Sequence, residues 1–268
     1  MRFVVNIWNV GNRWERTVAR SLIVGLVWAI GGLSLGAQEG KTTEGKQIGE
    51  LIFLRDYGTD DIAYLVVPEQ QPLAGVVVLP DKEGVTERTK KFCDALGKKG
   101  YLVLCLDIYN GRTAKNEAEA AQLADSLKKT LVEKTLATGL KFFESSPRFQ
   151  MEQVFVLSLG VTAEVTVESM ARQKNVAGLI LMNPQNFPDK EKLDDLRMGL
   201  QVLLTQEAGT FSDFKSLDLE FSEASRKLWE LRILENGTKP EAYLDSVHAF
   251  INRVLVEPRR EGLIEKIF

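Results

Sequence analysis

Short apolar runs alternate with segments of helical periodicity through most of this chain. Six of the runs have the length and apolar character of buried strands, and in chain order they are AYLVVP, AGVVVLP, YLVLCLD, QVFVLS, VAGLILMNP and GLQVLLTQ. Continuous hydrophobic strands separated by helices are typical of a parallel sheet that is covered on both faces. The pattern therefore predicts the α/β class, with a mostly parallel, doubly wound sheet and helices on both faces.

Between these runs the apolar residues recur at helical spacing. The segment TERTKKFCDALGKKG does so through Phe92 and Leu96 and stops at a glycine, which predicts a helix leading into the next strand of a βαβ unit. Residues 116–145 form a long amphipathic stretch opened by Asn116, a residue type favoured at helix N-caps, and they predict one helix or two. Shorter helices are predicted at Ala163–Gln173 and Lys190–Arg197.

The N-terminal segment differs from the rest of the chain. Arg13, Arg16 and Arg20 precede the uncharged run SLIVGLVWAIGGLSLGAQ, and Ala37 is a small residue at which a signal peptidase can cut before Gln38. This arrangement predicts a secretory signal peptide. A retained membrane anchor is the alternative, because the uncharged run has about the minimum length of a spanning helix, roughly 18 residues.

This interpretation divides the chain into three parts. Residues 1–37 are the signal peptide or anchor, and residues 38–49, which are polar and rich in Gly, Lys and Glu, are a flexible mature N-terminus. Residues 50–268 are expected to form one domain, since no internal repeat or Pro/Ser-rich linker interrupts them.

The acidic net charge of the chain makes some classes of partner unfavourable. Of the 268 residues, 44% are hydrophobic, which is ordinary for a globular protein, and loss of residues 1–37 changes the formal net charge from −3 to −6. An acidic protein is a poor match for nucleic acid or anionic lipid, since both bind basic surfaces. We expect an exported, periplasmic or secreted protein that meets the membrane only through its N-terminal segment, if that segment stays uncleaved.

Few residues are available for metal, cofactor or disulfide chemistry. The chain has a single histidine and only two cysteines, Cys93 in a predicted helix and Cys105 in a predicted strand. We expect two buried thiols and keep one disulfide as the alternative, because an even cysteine count in an exported chain permits it. No structural zinc site is expected, because the chain has a single histidine and no close cysteine pair. No phosphate-binding loop or Gly-x-Gly-x-x-Gly motif follows any strand, so no cofactor is expected.

Four segments, in order, resemble one known family. GVVVLPDKEGV, GKKGYLVLCLDIYNGRTAKNEAEAAQL, FVLSLG and YLDSVHAFIN are similar to segments of the dienelactone hydrolase family of the α/β-hydrolase fold, over roughly Glu50 to Arg253. The resemblance implies a nucleophile on a sharp strand-to-helix elbow, a histidine base, an acid that orients the histidine, and backbone N–H donors for the oxyanion.

The resemblance assigns a histidine but leaves the acid open. His248, in HAF, matches the catalytic histidine segment of the family. The acid of the family follows the strand QVLLTQ by a few residues, and here that position falls at or near Ala208. Glu207 or Asp213 is the candidate substitute, although each could equally be an ordinary loop carboxylate.

The stretch VFVLSLGVTAEV allows two alignments with the elbow. In the first, Ser158 is the nucleophile of a pattern running from Val156 to Gly160, and the strand then contains Glu152 and Gln153. Burying such polar groups unpaired costs roughly a few kcal/mol each. In the second, the strand is VFVL and Gly160 stands where the nucleophile belongs. We favour the second alignment, because glycine adopts the positive φ of an elbow without strain.

The oxyanion site can also be placed by the resemblance. An acidic residue of the family follows the strand before the first helix, close to the oxyanion hole, and Asp81 in LPDKEG is nearest to that position. The N–H groups of Leu159 and of residues near Asp81 are the candidate oxyanion donors, with Gly160 at the same turn.

Two functions are consistent with these residues. The favoured one is an exported dienelactone-hydrolase-like protein whose nucleophile and acid positions carry Gly160 and Ala208, acting as a binding or accessory module with an unidentified protein partner. The alternative is an active hydrolase of small carboxylic esters or lactones, in which Ser158 attacks and His248 accepts its proton. Contact between these two side chains favours the enzyme, whereas Ser158 buried in the sheet with Gly160 at the turn favours the non-catalytic protein.

Overall fold

The structure is a computed structural model that describes part of the chain. The described residues are 48–57, 60–171, 173, 175–185, 192–193, 195–205, 229–234 and 240–264. All of them belong to the compact unit Gly45–Phe268. The predicted signal peptide over residues 1–37 lies outside the described residues.

Eight strands form one sheet. They are β1 (Glu50–Phe53), β2 (Ile62–Val66), β3 (Gly75–Leu79), β4 (Leu102–Leu106), β5 (Val154–Leu159), β6 (Gly178–Met182), β7 (Gly199–Thr205) and β8 (Trp229–Leu234). Their order across the sheet is β1-β2-β4-β3-β5-β6-β7-β8. β2 is antiparallel to β1 and β4, and the six strands β3 to β8 are parallel to one another. The predicted α/β class is confirmed, and β1 and β8 extend the sheet beyond the six predicted strands.

In the described ranges, five helices connect or follow the strands. They are α1 (Glu87–Lys98), α2 (Glu117–Ser126), α3 (Lys129–Ser145), α4 (Ala163–Met170) and α5 (Pro240–Ile264), with short 3₁₀ turns at Arg55–Tyr57 and Gly160–Thr162. The amphipathic stretch 116–145 is two helices, because the chain is extended at Leu127 and Lys128. Asn116 caps α2 as predicted, and its side-chain oxygen accepts the amide N–H of Glu119 at 2.9 Å.

Two apolar layers cover the sheet, one on each face. Successive side chains of β4 point to opposite faces of the sheet. Leu104 and Leu106 pack in one layer, and Val103 and Cys105 pack in the other. The first layer is completed by α2, α3 and α4 and the second by α1 and α5. All five residues of β3 and all five of β4 are buried, which is the continuous burial that the apolar runs predicted.

Helix α5 is held to the sheet by polar contacts as well as apolar ones. The Tyr101 hydroxyl, just before β4, lies 2.7 Å from His248 Nδ1, and Asn252 Nδ2 lies 3.0 Å from His248 Nε2. An amide N–H donated to Nε2 leaves the ring proton on Nδ1, which donates to the tyrosine oxygen. Lys99 adds an ion pair with Asp245 at 2.8 Å. His248 therefore lies inside a helix and anchors that helix at the amino end of β4.

A second polar contact fixes α5 further along the sheet. Gln201 in β7 is fully buried, and its Nε2 donates to the carbonyl oxygen of Ser246 at 3.2 Å. Across the described ranges, with the N-terminal segment outside them, no helix has the length and apolar character needed to cross a membrane.

We expect the protein to lose stability as the pH falls from about 7.5 to about 5.5. Burial, and after it the charge of Lys99, lowers the pKa of His248 in the folded state, against the opposing charge of Asp245. The unfolded chain therefore binds the proton more tightly, and the stabilisation is complete above the unfolded pKa of about 6.5 and is lost below it. Urea unfolding at a series of pH values measures this loss.

His248→Gln is the matched control for this titration. It removes the titrating ring while the carboxylates, which titrate at lower pH, stay the same in both proteins. The variant should show a smaller loss of stability between about pH 7.5 and 5.5. Equal pH dependence in both proteins would contradict the assignment to His248.

Candidate functional site

The elbow predicted by the sequence is the turn between β5 and α4. β5 continues through Ser158 and Leu159, and the chain then turns at Gly160, whose φ is +52°. A side chain at such a φ is strained, by about 1–2 kcal/mol, and glycine is not. The carbonyl oxygen of Gly160 accepts the amide N–H of Gln185 at 3.1 Å. The structure thus places Gly160 at the apex of the turn, where the second of the two alignments has it.

The Asp81 carboxylate occupies the space above this turn. Asp81 follows β3, and its Oδ1 accepts the amide N–H of Lys82 at 2.7 Å and that of Val161 at 3.0 Å. A Cβ atom built on Gly160 would overlap all three atoms of the carboxyl group. The carboxylate therefore lies where the side chain of an elbow nucleophile would begin.

The amide that faces Asp81 is not the one predicted. Leu159 lies within β5, opposite Met182 of β6, while the N–H of Val161 points to the carboxylate. The oxyanion site of an elbow is built from the N–H after the nucleophile and from an N–H of the loop after the strand β3. Both groups, from Val161 and Lys82, are bound here to the same carboxylate oxygen.

Ser158 is enclosed in the sheet. It is 0% exposed, and its Oγ lies 2.7 Å from Thr162 Oγ1 and accepts the hydroxyl of Thr166 at 3.1 Å. Thr166 Oγ1 is also 2.7 Å from the carbonyl oxygen of Thr162, and Thr162 Oγ1 is 2.9 Å from that of Leu159. This ladder of hydroxyl groups ties the end of β5 to the first turns of the helix that follows.

Ser158 and His248 lie at opposite ends of the strands. Tyr101, which contacts His248, precedes Leu102, and the register across the parallel strands sets Leu102 level with Val154. Tyr101 is therefore level with Gln153, and Ser158 lies five residues further along the strand direction, or about 16 Å from that level. The structure does not bring the predicted nucleophile and base together.

The predicted acid cannot be placed in the same way. Glu207, Asp213 and the slot at Ala208 lie outside the described residues. Among the side chains that are described, no group of three or more His, Cys, Asp or Glu residues is placed to hold a metal ion.

Tyr109 is a further polar group near the site that sequence reasoning missed. It is buried, and within the described part of the chain its hydroxyl has no hydrogen-bond partner. Burial, and after it the charge of Asp81, raises the pKa of this phenol, so the hydroxyl keeps its proton. The only signal in the sequence is its place in LDIYNGRTA, two residues after the buried Asp107.

A cavity of about 430 Å³ lies beside β2 and the N-terminus of α1. Charged and polar side chains line it, among them Tyr64, Thr86, Lys90, Asp107 and Arg112. Asp107 accepts the amide N–H groups of Tyr109 and Gly111, so its carboxylate is used to shape the loop after β4. Gly160 and its neighbours from 158 to 162 do not line this cavity.

Comparisons with known proteins agree with this architecture. The model of the dienelactone hydrolase family matches residues 62–255. No curated protein matches the chain in sequence. Among solved structures, a dienelactone hydrolase from Anabaena variabilis superposes with a TM-score of 0.59 at 12% identity, covering 76% of this chain and 97% of that one.

Two other solved structures show the same likeness. A dienelactone hydrolase-like promiscuous phosphotriesterase from metagenomic libraries has a TM-score of 0.58 at 15% identity, covering 70% of this chain and 81% of that one. Est1E from Butyrivibrio proteoclasticus has a TM-score of 0.55 at 10% identity, with 74% and 96% covered. At these identities the likeness shows the fold alone. The family match over residues 62–255, which is more than half of the chain, shows that this protein belongs to the dienelactone hydrolase family of α/β-hydrolase-fold proteins.

Proposed function

We propose that this protein is an exported, non-catalytic member of the family that uses its scaffold as a binding or accessory module. The observation that carries the proposal is the position of Asp81. Its carboxylate lies over Gly160, at the place of a nucleophile side chain, and accepts the N–H groups of Val161 and Lys82. These are the N–H groups that the hydrolytic mechanism reserves for the oxyanion.

The electrostatics of this arrangement oppose ester hydrolysis. An oxyanion donor contributes about 2.7–4 kcal/mol to transition-state stabilisation in well-studied hydrolases. Two unit negative charges about 4 Å apart repel one another by about 4 kcal/mol at an effective dielectric constant of about 20. An oxyanion formed beside the Asp81 carboxylate would therefore lose roughly as much as the donors could supply.

The histidine supports the same conclusion. His248 is the only histidine of the chain, and both of its ring nitrogens are hydrogen-bonded, to Tyr101 and Asn252. A general base must come within hydrogen-bond reach of the proton that it removes. His248 would have to leave helix α5 to approach the elbow, which would break the contacts that hold the helix to the sheet.

The proposed ligand is a small molecule or a protein, and the proposed compartment lies outside the cytoplasm. The family name suggests a small ester or lactone as one class of ligand that the scaffold could still bind without cleaving it. An unidentified protein is the other class of partner. Export is supported by the arginines and the uncharged run of residues 1–37.

Hydrolysis of a short-chain aryl ester by the purified protein tests the loss of catalysis. We expect background rates for the unaltered protein, for Ser158→Ala and for His248→Ala, because neither side chain can reach a substrate at the elbow. A dienelactone hydrolase with an intact elbow serves as the positive control. Measurable activity that disappears in both variants, with their circular dichroism unchanged, would establish Ser158 as the nucleophile and refute the proposal.

The fit of Asp81 over Gly160 has its own thermodynamic test. Gly160→Ala should lower the free energy of unfolding by more than the about 1–2 kcal/mol expected from its positive φ, because the new Cβ meets the carboxylate. Gly111→Ala is the matched control, since Gly111 has a φ of +79° but no atom near its Cβ position. Chemical denaturation measures both.

Asp81→Ala combined with Gly160→Ala completes the cycle. We expect the double variant to be more stable than the sum of the two single changes implies, with an interaction free energy of about 1 kcal/mol or more. Additive effects, or equal losses for Gly160→Ala and Gly111→Ala, would mean that the carboxylate does not occupy the elbow.

Export is tested by the mature N-terminus. In a bacterial host we expect the intact mass of the protein recovered from the periplasm or medium to correspond to a chain that begins at Gln38. Ala37→Arg is the control variant, because a large charged residue at the cleavage site should block processing. A full-length mass in the membrane fraction would favour the retained anchor instead.

A further inference from the structure

The two cysteines lie in the same apolar layer, which α1 and α5 form over the sheet. Cys93 lies in α1 and Cys105 in β4, both are 0% exposed, and both are free thiols. The expected burial of both side chains is confirmed. Cys105 points into this layer because it alternates with Leu104 and Leu106, which point into the opposite one.

Neighbouring contacts fix α1 closely against this part of the sheet. Tyr64 of β2 lies opposite Cys105, and its hydroxyl donates to the carboxylate of Asp94, the residue after Cys93, at 2.8 Å. At Gly97, one turn further along α1, an added Cβ would collide with Val66 of β2. Such a close approach of helix and strand is what a disulfide between them requires, since its Cα atoms must lie within about 7 Å.

The neighbouring Cys105 thiol, and after it burial, raises the pKa of the Cys93 thiol. A buried thiol of high pKa is a poor nucleophile, because the thiolate is the reactive species. In the folded, reduced protein the pair should therefore react slowly.

We propose that Cys93 and Cys105 are a redox pair that closes to an intramolecular disulfide when the chain folds in an oxidising compartment. The oxidant is a disulfide, either oxidised glutathione or the disulfide of an oxidoreductase. The thiolate of one cysteine attacks it and releases one thiol, and the second thiolate then displaces the other sulfur of the mixed disulfide. Two protons leave the protein, and the oxidant takes up the two electrons as two thiols.

The timing follows from the burial of both sulfurs. Oxidation should be fast while α1 is still loosely packed and slow once the layer over the sheet has closed. The bond would join Cys93 to Cys105 and close a loop of thirteen residues. Such a loop lowers the conformational entropy of the unfolded chain and so stabilises the folded one. The proposed export supplies the oxidising compartment, but the pairing itself can be tested without it.

The first arm of the experiment is refolding in a defined redox buffer. The purified protein is reduced, unfolded in urea, and diluted into a mixture of oxidised and reduced glutathione. It is then acid-quenched and alkylated with N-ethylmaleimide in denaturant. We expect an intact mass without alkylation, lighter than the reduced protein by the two thiol hydrogen atoms. The oxidised form should melt roughly 5–10 °C above the reduced one.

Single-cysteine variants provide the controls for this arm. Cys93→Ser and Cys105→Ser should each keep one alkylated thiol and show no oxidant-dependent change in melting temperature. If the unaltered protein takes up two alkyl groups after refolding in the oxidising buffer, or pairs only between molecules, the proposal is wrong.

The second arm uses protein recovered from exporting cells without reductant. A disulfide together with a chain that begins at Gln38 supports both proposals. Free thiols together with an uncleaved N-terminus, after a bridge has formed in glutathione, would overturn export and leave the redox pair standing. Free thiols in a correctly cleaved protein would overturn the redox pair.

Discussion

The central strands of this protein have no face toward water, and this constraint decides where polar groups can be. A polar side chain in such a strand must find its partner inside the protein, because leaving it unpaired costs roughly 1–3 kcal/mol. Ser158 does so with Thr162 and Thr166. Gln201 does so only through its Nε2, which donates to the backbone of α5, while its Oε1 has no partner among the described residues. Asp81 and Gly160 lie at the carboxyl ends, and the Tyr101–His248 contact lies at the amino end.

The sequence predicted the central sheet well because both of its faces are buried. β3 and β4 are uninterrupted apolar runs of five residues, and all of these residues are buried. The outer strands were not predicted, because they are less buried than the central ones. Edge strands meet solvent, so β8 reads as the mixed segment WELRIL and β1 has only four residues. Helix α5 was visible in principle, since Leu244, Val247, Ile251 and Val254 recur at helical spacing and are buried.

The site was less predictable than the fold, because it depends on the path of the backbone between elements. A glycine at the elbow and an aspartate after β3 could be named from the sequence. That the aspartate carboxylate reaches across to the Val161 amide could not, since it depends on where two separate loops meet. His248 failed to meet Ser158 for a related reason. Its segment resembles the catalytic one, yet its position in α5 turns it toward Tyr101.

The contact between Asp81 and the elbow also limits how this site can change over evolutionary time. A serine or cysteine at position 160 would collide with the carboxylate, so one substitution there cannot supply a working nucleophile. Loss of the carboxylate alone would leave the Val161 and Lys82 amides without their acceptor, which also carries a cost. Each of the two steps is unfavourable without the other. The geometry therefore opposes any single substitution that would place a nucleophile side chain at position 160.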